Sequence, residues 1–166
     1  MFKITADVKE NDQALQAMQA ALKELDSLQV LVGIPEDESM RKDGEISNAV
    51  LLYIHSNGSP ANNLPARPVI EPALEDNKER IGTIMGAATK AAMAGDSAGM
   101  KAQLEKAGMA GQNAAKDWFT NPSNGFAPLQ PSTAKQKERK GADVERPLID
   151  TSDLRNSITY VVRDRE

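Results

Sequence analysis

Apolar and polar positions alternate at the start of the chain: Phe2, Ile4, Ala6 and Val8 fall on one side and Lys3, Thr5 and Asp7 on the other, which predicts a half-buried strand over Phe2 to Val8. The period then lengthens. Asn11 or Asp12 can cap a helix whose apolar residues Leu15, Met18, Leu22 and Leu25 recur at steps of three and four. Leu28 to Ile34, LQVLVGI, is short, β-branched and stopped by Pro35, and reads as a second, more buried strand. Residues 35–45 are charged, contain glycine and have no apolar period, which predicts an exposed, mobile loop.

A short helix is expected from Ile46 to His55, with Ile46, Val50, Tyr53 and Ile54 grouped on one side and Asn57-Gly58 ending it. Prolines at 65, 68 and 72 push Leu64, Arg67 and Glu71 toward extended conformations and remove three backbone donors, so NNLPARPVIEPAL reads as a stiff strut. Pro72 suits the first turn of a long helix, which Leu74, Ile81, Met85 and Ala88 continue to about Ala94. Gly95-Asp96-Ser97 breaks it, and a second long helix carries Met100, Leu104, Ala107, Gly111 and Trp118. Six glycines lie between 82 and 111, a composition that lets helix axes approach closely; Gly82 and Gly86 have GxxxG spacing and mark a candidate helix contact between subunits. Asn121 to Gln130 is turn-rich, Pro131 opens a short basic helix to about Lys140, Asp150 or Thr151 can cap one further helical turn, and Ile158 to Val162 reads as a final strand. The ends are β and the middle is α, so the fold class is α+β: a small antiparallel or mixed sheet with packed helices and two long central helices.

Composition narrows the function classes. A chain of 166 residues suits a single domain with a real core. Net charge is −4, so no global field draws it to nucleic acid or anionic lipid. There are no cysteines, which removes disulfides, thiolate metal sites and one class of nucleophile. Neither a signal peptide nor an apolar run of membrane-spanning length is visible, so a soluble protein is expected, and Asn57-Gly58-Ser59 reads as a turn instead of a glycosylation site.

No catalytic set converges: no Walker loop, GxGxxG or HExxH is present, and no cofactor or metal is implied. His55, the only histidine, sits at a helix end, where a cation would suit the dipole. Asp150 and Asp153 could share a cation, although capping explains both. Lys135, Lys137, Arg139 and Lys140 form a basic run that could touch phosphate, or else a solvated face without aromatic interleaving.

Three segments resemble the neck and tail-completion proteins of long-tailed bacteriophages, a group described as virion morphogenesis or tail-component proteins. Leu64-Pro65-Ala66-Arg67-Pro68-Val69-Ile70-Glu71-Pro72-Ala73-Leu74 is similar to the family's "PARPF-x-x-PAL" entry to a long helix. Pro128-Leu129-Gln130-Pro131-Ser132-Thr133 is similar to its "PLSPST", and Pro147-Leu148-Ile149-Asp150-Thr151-Ser152-Asp153-Leu154-Arg155-Asn156-Ser157-Ile158 to its "PL-x-DTG-x-L-x-x-SI". Val69 stands where the family usually has phenylalanine, and Ser152 where it often has glycine.

The resemblance implies a non-enzymatic virion protein, assembled in the host cytoplasm into a homo-oligomeric ring, a hexamer being one stoichiometry. That ring would sit at the head-tail junction around DNA that passes without sequence recognition. Its neighbours would be head-closure or connector proteins and tail-tube or tail-terminator proteins. A ring uses a heterologous interface, and the expected patch comprises Pro65, Arg67, Pro68, Ile70, Glu71, Gly82 and Gly86. Arg67 would either offer its planar fork to a carboxylate next door or pair inside its own subunit. A tail-end terminator, a non-virion assembly factor, a DNA-binding module built on the 135–140 run and a metal-dependent hydrolase using Asp150 and Asp153 remain as alternatives.

Overall fold

The computed structural model describes residues 5–35, 46–141, 143–145, 147–148 and 152–165. The fold is α+β, with packed helices and one two-stranded antiparallel sheet among the described residues. Contacts divide the chain into two compact units, 1–31 with 78–110 and 161–166, and 32–77 with 111–160, and each holds a buried hydrophobic cluster.

The first unit is built on three long helical stretches. Helix α1, Thr5–Ser27, absorbs the part of the expected first strand that is described, Thr5 to Val8, and passes through Asn11 and Asp12 without stopping. Adding turns to an existing helix gains a hydrogen bond per residue ordered, whereas a strand gains none until it finds a partner. Phe2 to Ile4 lie outside the described residues. Helix α1 packs on α4, Lys78–Met93. Ala21, Ala88, Ala92, Met100 and Leu104 form the buried core, with Leu22, Leu25, Leu28, Val30 and Val162 against it. The small alanine faces allow the helices close contact. Leu15, expected in the apolar stripe, is exposed. Helix α5, Ser97–Trp118, begins where Asp96 Oδ1 accepts from the Gly99 N–H at 2.8 Å, the N-cap bond that explains the break at 95–97. Strands β1, Leu28–Gly33, and β2, Thr159–Asp164, make up the sheet.

The second unit holds the larger core: Leu52, Val69, Ala73, Ala115, Trp118, Phe119, Leu148, Leu154 and Ile158. Helix α2, Asn48–Asn57, is capped by Ser47, whose Oγ accepts from the Val50 N–H, and ends at Gly58 as expected. The long helix expected from Pro72 is two helices. α3, Ile70–Asp76, starts two residues earlier, and Asn77 closes it by donating its side-chain amide to the Ala73 carbonyl at 3.0 Å, a competition with the backbone that asparagine often wins. Pro72 still falls in the first turn, where its missing N–H is not needed. Gly111 marks a close approach: a Cβ there would stand 2.9 Å from Val32 Cγ2 and 3.1 Å from Leu74 Cδ2. Helix α6 is Pro131–Arg139 and α7 is Asp153–Asn156; α7 packs on α2, where Asn48 Nδ2 donates to Ser157 Oγ at 2.6 Å.

Candidate functional site

The proline-rich strut is held at both ends by backbone bonds. Ser59 and Leu64 exchange N–H···O bonds of 2.8 and 3.0 Å, and the Arg67 N–H donates to the His55 carbonyl at the end of α2 at 2.7 Å. Gly58 permits this path. Its φ of +73° and ψ of 177° suit only glycine, and a Cβ there would lie 2.7 Å from Ala66 N and 2.9 Å from Leu64 O. The strut thus lies against the backbone of the α2 terminus, and Val69 at its far end is fully buried in the core.

Arg67 faces inward. It is 3% exposed; its Nε and Nη2 donate to the Ala127 carbonyl at 3.1 and 2.9 Å, and Nη2 also reaches the Pro128 carbonyl at 3.2 Å. Of the two readings of this side chain, internal pairing is the one the geometry carries. Burial lowers the guanidinium pKa, yet arginine keeps its charge.

His55 corrects another expectation. Burial first, and the Arg67 charge second, push its pKa below the ordinary value, so near neutral pH it does not serve as a helix-end cation. Its Nδ1 is buried without a hydrogen-bond partner among the described residues.

The remaining expected interface residues differ in exposure. Pro68 and Glu71 are exposed, Pro65 and Ile70 half-buried. Gly82 and Gly86 lie exposed on α4, with open space where a Cβ would stand, so close helix approach within the chain occurs at Gly111 and not at these two.

The basic run is not one face either. Lys135, Arg139 and Lys140 are exposed, but Lys137 is buried and donates to the Asp143 carbonyl at 3.1 Å. Asp150 and Thr151 lie outside the described residues, as do residues 36–45, where a loop was expected. The α7 cap is Ser152, which makes no side-chain cap bond. Among the described residues, no group of three or more His, Cys, Asp or Glu side chains could hold a metal ion, and no helix is long and apolar enough to cross a membrane.

What the periodicity missed is a mostly apolar hollow of about 500 Å³ between α2 and the strut, lined by Ile34, Leu52, Tyr53, Pro68 and Ile70 together with the polar Ser56, Asn57 and Glu71. Beside it Ile46, Val50 and Tyr53, read from spacing as a core-facing side, are 45, 49 and 70% exposed. The signal was present in the unbroken apolar run Ala49 to Ile54, which makes α2 apolar all round, more than one buried side can take up.

Against known proteins, no family model, no curated protein and no solved structure matches the chain.

Proposed function

We propose that the chain is a structural virion protein of a long-tailed phage, assembling as a homo-oligomeric ring at the head-tail junction around the DNA channel, and that it is not an enzyme. One observation carries this reading. The three segments that resemble neck and tail-completion proteins converge in a single unit: Arg67 of the first donates to the carbonyl of Pro128, the first residue of the second, and to that of Ala127 just before it, while Val69 and Ala73 of the first share a core with Leu148, Leu154 and Ile158 of the third. Such residues build a scaffold. They present no nucleophile, base or metal shell to a substrate, and this supports an assembly role. The inward turn of Arg67 leaves Pro68, Glu71 and the glycines of α4 as the outward members of the expected patch.

The test is particle-based. Mass spectrometry of purified virions should find the protein, and cells infected by phage lacking it should accumulate separate filled heads and tails. Normal particles without it, or its absence from virions, would overturn the reading; tails of abnormal length would move it to a tail-end terminator.

A further inference from the structure

The sequence holds two Asn-Gly steps, Asn57-Gly58 and Asn124-Gly125. Asparagine loses ammonia to its own backbone most readily before glycine, because the attacking nitrogen then belongs to a residue with no side chain to bar its approach to the amide carbon. Exposure singles out Asn57, which is open to solvent where Asn124 is half-buried. Hydrogen bonding singles out the other.

At the end of α2 the Gly58 N–H is engaged. It donates to the Ile54 carbonyl at 2.8 Å, Asn57 Nδ2 donates to the Tyr53 carbonyl at 2.9 Å, and Gly58 is packed against Leu64 and Ala66. Attack by this nitrogen would require opening the last turn of the helix. Gly125 is under no such hold: it is exposed in a left-handed turn, φ +61° and ψ 20°, with open space where a Cβ would stand, and its N–H has no hydrogen-bond partner among the described residues. The Asn124 amide, by contrast, is oriented. Nδ2 donates to the Trp118 and Phe119 carbonyls at 3.1 and 3.4 Å, and Oδ1 accepts from the Phe126 N–H at 3.1 Å. This last bond closes an Asx turn, which folds the side-chain carbonyl back over the intervening Gly125 peptide. It also sets a donor on the oxygen that gains negative charge during attack.

We infer that Asn124 is a site of spontaneous deamidation in the folded chain, and that its conversion loosens the turn leading to Ala127. The Gly125 backbone nitrogen gives its proton to hydroxide and bonds to Asn124 Cγ; the Cγ–Nδ2 bond breaks, and ammonia leaves with a proton taken from water. A second water opens the resulting cyclic imide at either carbonyl, to aspartate or to isoaspartate. Either product sets a carboxylate where Nδ2 stood, so the Trp118 and Phe119 carbonyls lose this donor. The Ala127 carbonyl that Arg67 holds follows along the same turn.

The experiment is a time course on the full chain in mildly alkaline buffer, folded and in urea, read by peptide mapping with tandem mass spectrometry. In the folded chain the amide-to-acid mass gain should appear at Asn124 about tenfold or more faster than at Asn57, whose barrier includes the opening of a helix bond. In urea the two steps should convert at similar rates, since both place glycine after asparagine. Asn124→Asp, which installs one product directly, should lower the melting temperature. Conversion first at Asn57, equal conversion at both, no conversion at Asn124 while folded, or the same preference in urea would each overturn the site. An Asn124→Asp melt equal to the wild type would overturn the loosening. None of these results depends on whether virions contain the protein.

Discussion

Arg67 donates through both Nε and Nη2 to one acceptor, the carbonyl oxygen of Ala127, at 3.1 and 2.9 Å. The charge sits 3% exposed against neutral carbonyls, so its removal strands the Ala127 and Pro128 acceptors in a partly buried place. Arg67→Ala should cost about 2–4 kcal/mol in a urea melt, and Arg67→Lys a large part of that because an ammonium lacks the fork. Loss of assembly with an unaltered monomer melt would instead place Arg67 at an interface.

Gly58 should tolerate no side chain. A Cβ would meet Ala66 N at 2.7 Å, and the backbone angles are themselves closed to other residues. Gly58→Ala is expected to destabilise the second unit by about 3 kcal/mol or more, read by chemical denaturation with Trp118 fluorescence. A change below ~1 kcal/mol would show that the strut can lift away from α2.

Ser152 occupies a left-handed conformation, φ +64° and ψ 4°, without a compensating cap bond from its side chain. Glycine, which has no Cβ, adopts that conformation freely. Ser152→Gly should therefore raise stability by about 0.5–1 kcal/mol, the relieved strain exceeding the added backbone entropy of the unfolded chain. A lower melting temperature would refute this account of the turn.

The single histidine makes the acid response assignable. His55 has a folded-state pKa below its unfolded value, first through burial and then through Arg67. From about pH 8 upward it is neutral in both states and contributes no pH dependence. As pH falls through about 6.5, the unfolded chain binds the proton first, so stability declines and levels off only once the folded pKa is passed. His55→Gln should flatten this part of a stability-pH curve, and an unchanged slope in the variant would contradict the assignment.

Gly82 and Gly86 are exposed in the interior of α4 with room for a methyl group. Gly82→Ala and Gly86→Ala should each stabilise the monomer by about 0.5–1 kcal/mol through helix propensity. If these glycines form the floor of an intersubunit contact, the same variants should lose assembly as they gain stability. Native mass spectrometry beside thermal melts separates the two effects.

Local chemistry carried much of the fold. Asn57-Gly58 ended α2, Asp96 divided α4 from α5, Pro131 opened α6, and the β-branched runs ending the two sheet segments formed the two strands, because caps, prolines and side-chain period act within a few residues. Longer-range competition decided the misread elements. Thr5 to Val8 joined a helix for want of a strand partner, and Asn77 cut a helix whose apolar spacing ran straight through it.

By itself, then, the order of residues determined an α+β chain without cysteine chemistry, a stiff strut feeding into helices, and a run around α2 that is apolar on every side. Only the tertiary structure decided that Arg67 turns inward to Ala127, that Lys137 leaves the basic face, that Gly111 and not Gly82 accepts a close neighbour, and that Val50 and Tyr53 are exposed. The reason is physical. A periodic pattern says which residues of an element share a side, whereas burial of that side depends on what distant segments bring against it.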